Sequence, residues 1–140
     1  MASRLNPYLN FQGTTRQAME FYQSVLGGEL SVHTFGDSGI TDGVDPDHVM
    51  HATLETTDGF TIMAADLPPG MPFEPGGPIS VSLSGEDADT LRSYWDGLSA
   101  QATVIMPFEP QVWGDIFGMC VDQFGIKWMV DIVQNSPAGE

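Results

Sequence analysis

Gly59–Met63 reads GFTIM and Gly125–Met129 reads GIKWM, and the two segments share the pattern Gly-x-x-x-Met at a separation of 66 residues. Each follows a turn signal, Asp58-Gly59 in one case and Phe124-Gly125 in the other. Each then opens a run of alternating apolar residues, as a half-buried strand requires. Other matches fall in the same order around this pair. NPYLNF and GPISVSL both begin a candidate strand at a proline, Pro7 and Pro78, 71 residues apart. Phe21-Tyr22 and Tyr94-Trp95 occupy similar places in two candidate helices, 73 residues apart. A shared order with small drifts in spacing is what a duplicated module with unequal loops produces.

Working outward, residues 6–12 form a short apolar run closed by Gly13, and Thr14 stands where a helix N-cap belongs. Ala18, Met19, Tyr22, Val25 and Leu26 then recur at helical spacing until Gly27-Gly28 supplies a left-handed stop. Strands are expected over 29–35, 49–56 and 60–65, with the Gly/Asp/Pro loop GDSGITDGVDPD between the first two. The proline- and glycine-rich stretch from Leu67 to Pro78 can continue neither helix nor strand. Beyond it the order repeats: a strand over 79–83, a helix over 87–100, and strands over 103–108, 117–122 and 126–133. The reading is one α+β domain of two tandem βαβββ modules, 6–67 and 78–133, joined by a connector at 68–77.

Composition narrows the function. The chain has 140 residues, enough for one core, and nineteen acids face only Arg4, Arg16, Arg92 and Lys127, a net charge of −15. Four scattered cations cannot grip a phosphate backbone, so nucleic acid is not an expected partner. No apolar run reaches the roughly 18 residues of a membrane span, and the first residues lack the pattern of a signal peptide, so no membrane association and a cytoplasmic location are expected. The single cysteine, Cys120, forms no internal disulfide and is read as buried packing.

YLNFQGTTRQAMEFYQSVLGGEL, VMHATLETTDGFTIMAADLPPG, GGPISVSLSGEDADTLRSYWDGLSAQATVIMP and WGDIFGMCVDQFGIKWMV, together with the doubled βαβββ pattern, resemble the glyoxalase/bleomycin resistance (vicinal oxygen chelate) superfamily and its PhnB-like branch. The likeness runs from Pro7 to Val133. It implies curved mixed sheets whose concave faces form a ligand cup, and a homodimer. The fold hosts isomerases, dioxygenases, thiol transferases and drug-sequestering proteins, so it does not choose among them. Members of the branch are sometimes labelled as ubiquinone-pathway methyltransferases, but no glycine-rich cofactor loop accompanies a strand-to-helix turn here, and no cofactor is expected.

In the metal enzymes of the family, one divalent ion is held by histidine or glutamate on the first and last strands of each module. The resemblance puts those positions on Pro7, Met63, Pro78 or its neighbour, and Met129. Proline offers no side-chain donor and a thioether prefers soft ions, so no metal site is expected.

Three histidines offer other chemistry. His33 and His51 share the polar parity of neighbouring strands, with Glu55 further along, and His51 with Glu55 is the candidate acid–base pair. His48 follows Pro46-Asp47 in a loop. Asp37, Asp42, Asp45 and Asp47 lack the order of a dedicated calcium loop and read as solvated. Phe35, Met63, Phe108, Trp113, Phe117 and Met129 are expected to line the cup, with Trp113 at its mouth, whereas Trp128 belongs to the core by parity with Ile126 and Val130. The expected activity is metal-independent binding of a small molecule, cationic or aromatic in keeping with the acidic surround. The alternative is a lyase or isomerase with a shifted metal site or with acid–base catalysis at His51 and Glu55.

Overall fold

The computed structural model describes residues 3–68, 70–72 and 77–134. It resolves into two compact units, Met1–Phe73 and Glu74–Glu140. The connector 68–77 lies partly outside the described residues.

The first unit runs β1 (Tyr8–Phe11), α1 (Thr15–Leu26), β2 (Glu29–Thr34), β3 (Val49–Glu55) and β4 (Thr61–Asp66). Its strands lie in the order β1-β4-β3-β2, with β1 parallel to β4 and the other pairs antiparallel. Two-residue alternation sends Leu9, Phe11, Ala52, Leu54, Ile62 and Ala64 to the face covered by α1, where they are buried against Ala18, Met19 and Tyr22. The opposite side of the sheet carries Tyr8, Ser31, His33, His51, Thr53 and Met63.

Both ends of α1 follow from local chemistry, one of them differently from the sequence expectation. Gly27 ends the helix at φ 74°, its N–H donating to the Gln23 carbonyl at 2.8 Å. Thr14 occupies the N-cap, but its side chain makes no capping bond. The buried carboxylate of Asp66, at the end of β4, does that work: Oδ1 accepts from Gly13 N (2.8 Å), Thr15 N (3.2 Å) and Thr15 Oγ1 (2.7 Å), while Oδ2 accepts from Val49 N (2.8 Å). An anion at the positive end of the helix dipole is favoured, and this one comes from 51 residues away in the chain.

The second unit repeats the plan with β5 (Val81–Gly85), α2 (Ala88–Ser99), β6 (Thr103–Pro110), β7 (Ile116–Val121) and β8 (Lys127–Ile132), in the order β5-β8-β7-β6. Here β5 is parallel to β8. Asp87 is the N-cap of α2 and accepts from Thr90 N (3.1 Å) and Thr90 Oγ1 (2.8 Å); these bonds lower its carboxyl pKa. Trp128, Val130, Ile132 and Cys120 are buried on the α2 side, and the Trp128 indole donates to Asp122 at 2.8 Å. Burial, reinforced by the charge of Asp122, pushes the Cys120 thiol up to about 11. The expected strand over 79–83 begins two residues later, at Val81, and leaves Ile79 80% exposed. Two four-stranded mixed sheets, each with one helix, make the α+β architecture that the duplicated pattern implies. No helix among the described residues is long and apolar enough to cross a membrane.

Candidate functional site

In the first unit, strand register assembles a polar row on the face turned away from α1. Tyr8 lies opposite Met63, Met63 opposite Thr53, and Thr53 opposite Ser31; on a neighbouring rung His33 lies directly opposite His51. The His51 ring is held at both nitrogens, Nδ1 by the Tyr8 hydroxyl at 3.3 Å and Nε2 by the Thr53 hydroxyl at 3.0 Å. The Tyr8 and His51 rings are tilted by 34° with centroids 5.9 Å apart. His33 Nε2 meets the Ser31 hydroxyl at a longer 3.4 Å. A hydroxyl both donates and accepts, so either neutral form of His51 is satisfied, and a proton arriving at one nitrogen can leave by the other.

Glu55 lies on the same strand and face but four residues from His51, about 13 Å along an extended chain, and the two share no hydrogen bond. Tyr8, adjacent to Pro7, was not legible as a partner because β1 and β3 are far apart in sequence; only the register across β4 brings its hydroxyl to His51.

The positions that the resemblance puts at the family's metal site do not fit a divalent ion in the first unit. Pro7 presents only a backbone carbonyl, already accepting from Met63 N at 3.0 Å, and Met63 presents a thioether. Among the described residues, no three His, Cys, Asp or Glu side chains are grouped so as to hold a metal.

Phe35 serves a different place. It lines a hollow of about 620 Å³ where β1 and β4 end and α1 begins, together with Gln12, Val44, Asp45, His48 and Leu67. His48 Nε2 lies 3.6 Å from an Asp45 carboxylate oxygen. Backbone bonds from Phe35 N to the His48 carbonyl (3.1 Å) and from Gly36 N to the Pro46 carbonyl (2.8 Å) fold the loop back beside it.

In the second unit, Phe117, Met119, Met129 and Asp131 share the side of the sheet turned away from α2. Trp113, on the turn between β6 and β7, sets its ring edgewise on Phe117 at 5.8 Å and stays 57% exposed. Phe108 is elsewhere. It stacks on Trp95 of α2, with centroids 5.2 Å apart and planes 18° apart, beneath the Arg92 guanidinium at 5.7 Å. The expectation that Phe108 lines the same face as Phe117 and Met129 is thus corrected: register shifts in β6 between Val104 and Met106 and between Met106 and Glu109 break the alternation and turn Phe108 to the helix side.

Residues 4–130 match the model of the Glyoxalase/Bleomycin resistance protein/Dioxygenase superfamily. Protein YjdN of Escherichia coli K12 is 27% identical over 95% of this chain and 97% of its own length. The crystal structure of PA1353 from Pseudomonas aeruginosa is 36% identical, covers 93% of this chain and 97% of that one, and superposes with a TM-score of 0.82. A Bacillus cereus PhnB protein, described as a putative 3-demethylubiquinone-9 3-methyltransferase, shares the fold at a TM-score of 0.76 and 21% identity, over 91% of this chain and 98% of its own. The doubled βαβββ architecture and the match over nearly the whole sequence make one conclusion: the chain belongs to the glyoxalase/bleomycin resistance protein/dioxygenase superfamily.

Proposed function

We propose that the protein binds a small organic molecule, without a metal, on the sheet face that carries Tyr8, His51, Thr53 and Met63. The observation that carries this reading is the hydroxyl–imidazole–hydroxyl row at His51, beside Met63 and Pro7, which the family resemblance puts at metal-ligand positions. That row supplies directional hydrogen bonds, Met63 supplies an adaptable apolar contact, and the net charge of −15 favours a cationic or neutral aromatic ligand over an anion. A homodimer belongs to the same reading, supported by Val104 and Ile105, which are 45% and 50% exposed on the edge strand β6.

The test is calorimetric titration with a panel of cationic and aromatic compounds, alongside elemental analysis of protein purified without a metal-binding tag. Saturable binding that survives chelator is expected, and His51→Ala should weaken it about tenfold, the worth of one well-made hydrogen bond. Near-stoichiometric zinc, nickel, iron or manganese that survives desalting, with binding lost on chelation, would overturn the reading.

The second reading, a lyase or isomerase working by acid–base catalysis, is favoured by the bonds at both nitrogens of His51. In it, Tyr8 is the nearer proton partner, and Glu55 acts only on a different atom of the substrate. Turnover lost in His51→Ala but kept in Glu55→Gln would assign the chemistry to His51.

A further inference from the structure

Asp131 sits in β8, an interior strand between β5 and β7, on the face turned away from α2, opposite Phe117 on one side and Ser84 on the other. Its Oδ1 is buried and no hydrogen-bond donor reaches it. Asp115 stands just before β7, two residues from Phe117, which lies opposite Asp131, and its side chain reaches the Asp131 carboxyl. One Asp115 oxygen, Oδ1, accepts from Gln134 N at 3.2 Å.

We propose that Asp115 and Asp131 share a proton and form a latch that holds the Trp113 turn against β8 and releases it when that proton leaves. Two neighbouring carboxyl groups are mutually stabilising only when one is protonated and donates to the other. Of the two cations in the described residues of the second unit, Arg92 stands over Phe108 on the α2 side. Lys127 shares the face but lies four residues along β8, about 13 Å away. Glu109 of β6 lies in the same cross-strand row beyond Phe117 and adds negative charge; Ser84, Met119 and Met129 are neutral. Burial first, then the hydrogen bond to Asp115 and its negative charge, raise the Asp131 carboxyl above its usual range.

The consequence falls on the turn because Asp131 lies within β8, paired on both sides, whereas Asp115 lies outside β7 at the end of the turn. The turn closes through Gly114 N to the Gln111 carbonyl (2.9 Å) and Gln111 N to the Asp115 carbonyl (2.8 Å), so Asp115 is its anchor and Trp113 its tip. Gly114, at φ 105°, supplies a left-handed pivot next to Trp113. With the proton bound more tightly in the latched state, the latch is fully stable at low pH and weakens as pH rises through the raised Asp131 pKa. Release moves Trp113 off Phe117 and uncovers that side of the second sheet. The latch stands whether or not a ligand binds in the first unit.

The experiment is an NMR titration of the full chain, following side-chain carboxyl carbons, the Trp113 indole N–H and the Gln134 amide. The Asp131 carboxyl carbon, the Trp113 indole and the Gln134 amide should move with one midpoint, above the ordinary carboxylate range. Asp131→Asn, whose amide donates to Asp115 at every pH, should abolish the step and leave Trp113 in its low-pH position. Asp115→Asn should bring the Asp131 midpoint down and also remove the step from Trp113. Trp113 and Gln134 resonances that stay still while Asp131 titrates, or an Asp131 that titrates like an exposed carboxylate, would overturn the latch.

Discussion

At the scale of single residues, the chain places its polar groups where parity and turn chemistry direct them and reserves its exceptions for long-range partners. Asp66 is the clearest exception: by strand alternation it belongs with the buried residues of β4, and it is buried because four donors from two other segments converge on it. Asp66→Ala should therefore lower stability by roughly 3–5 kcal/mol, since it orphans buried donors and uncaps α1 at once. Urea denaturation measures this, and a loss below about 1 kcal/mol would contradict the role assigned to Asp66. His51 was legible as a polar residue facing away from α1. Its partners were not: Thr53 is local, but Tyr8 reaches it from 43 residues away.

At the scale of elements, the two helices, the turns and the existence of each strand are readable from spacing and glycine placement, whereas strand boundaries and the facing of one strand are not. β6 carries TVIMPFEP and shifts register twice against β7, which no alternation pattern announces. The shifted strand lays Phe108 and Trp95 over Gly118: a Cβ added there would stand 2.9 Å from both the Phe108 Cα and the Trp95 ring. Gly118→Ala should cost about 2–3 kcal/mol by overpacking, and should red-shift Trp95 emission as the stack opens. An unchanged melting midpoint with unchanged fluorescence would mean that the stack adapts freely.

At the scale of the whole molecule, nineteen acids against four bases make self-repulsion a destabilising term. Salt shortens the reach of these charges from about 10 Å at 0.1 M to 3 Å at 1 M. The melting temperature should thus rise by about 4 °C across that range in scanning calorimetry; no rise would show that the acids are already compensated. By itself the sequence determined the doubled βαβββ order, the α+β class and the buried Trp128. These rest on period, turn chemistry and residue type, all local properties. Only the tertiary structure decided which groups meet: Tyr8 with His51, Asp66 with α1, Asp115 with Asp131, and Phe108 with Trp95 on the α2 side. Such pairings depend on strand order and register, which are set by the burial of a complete sheet face and by bulges, and these are properties of no single segment.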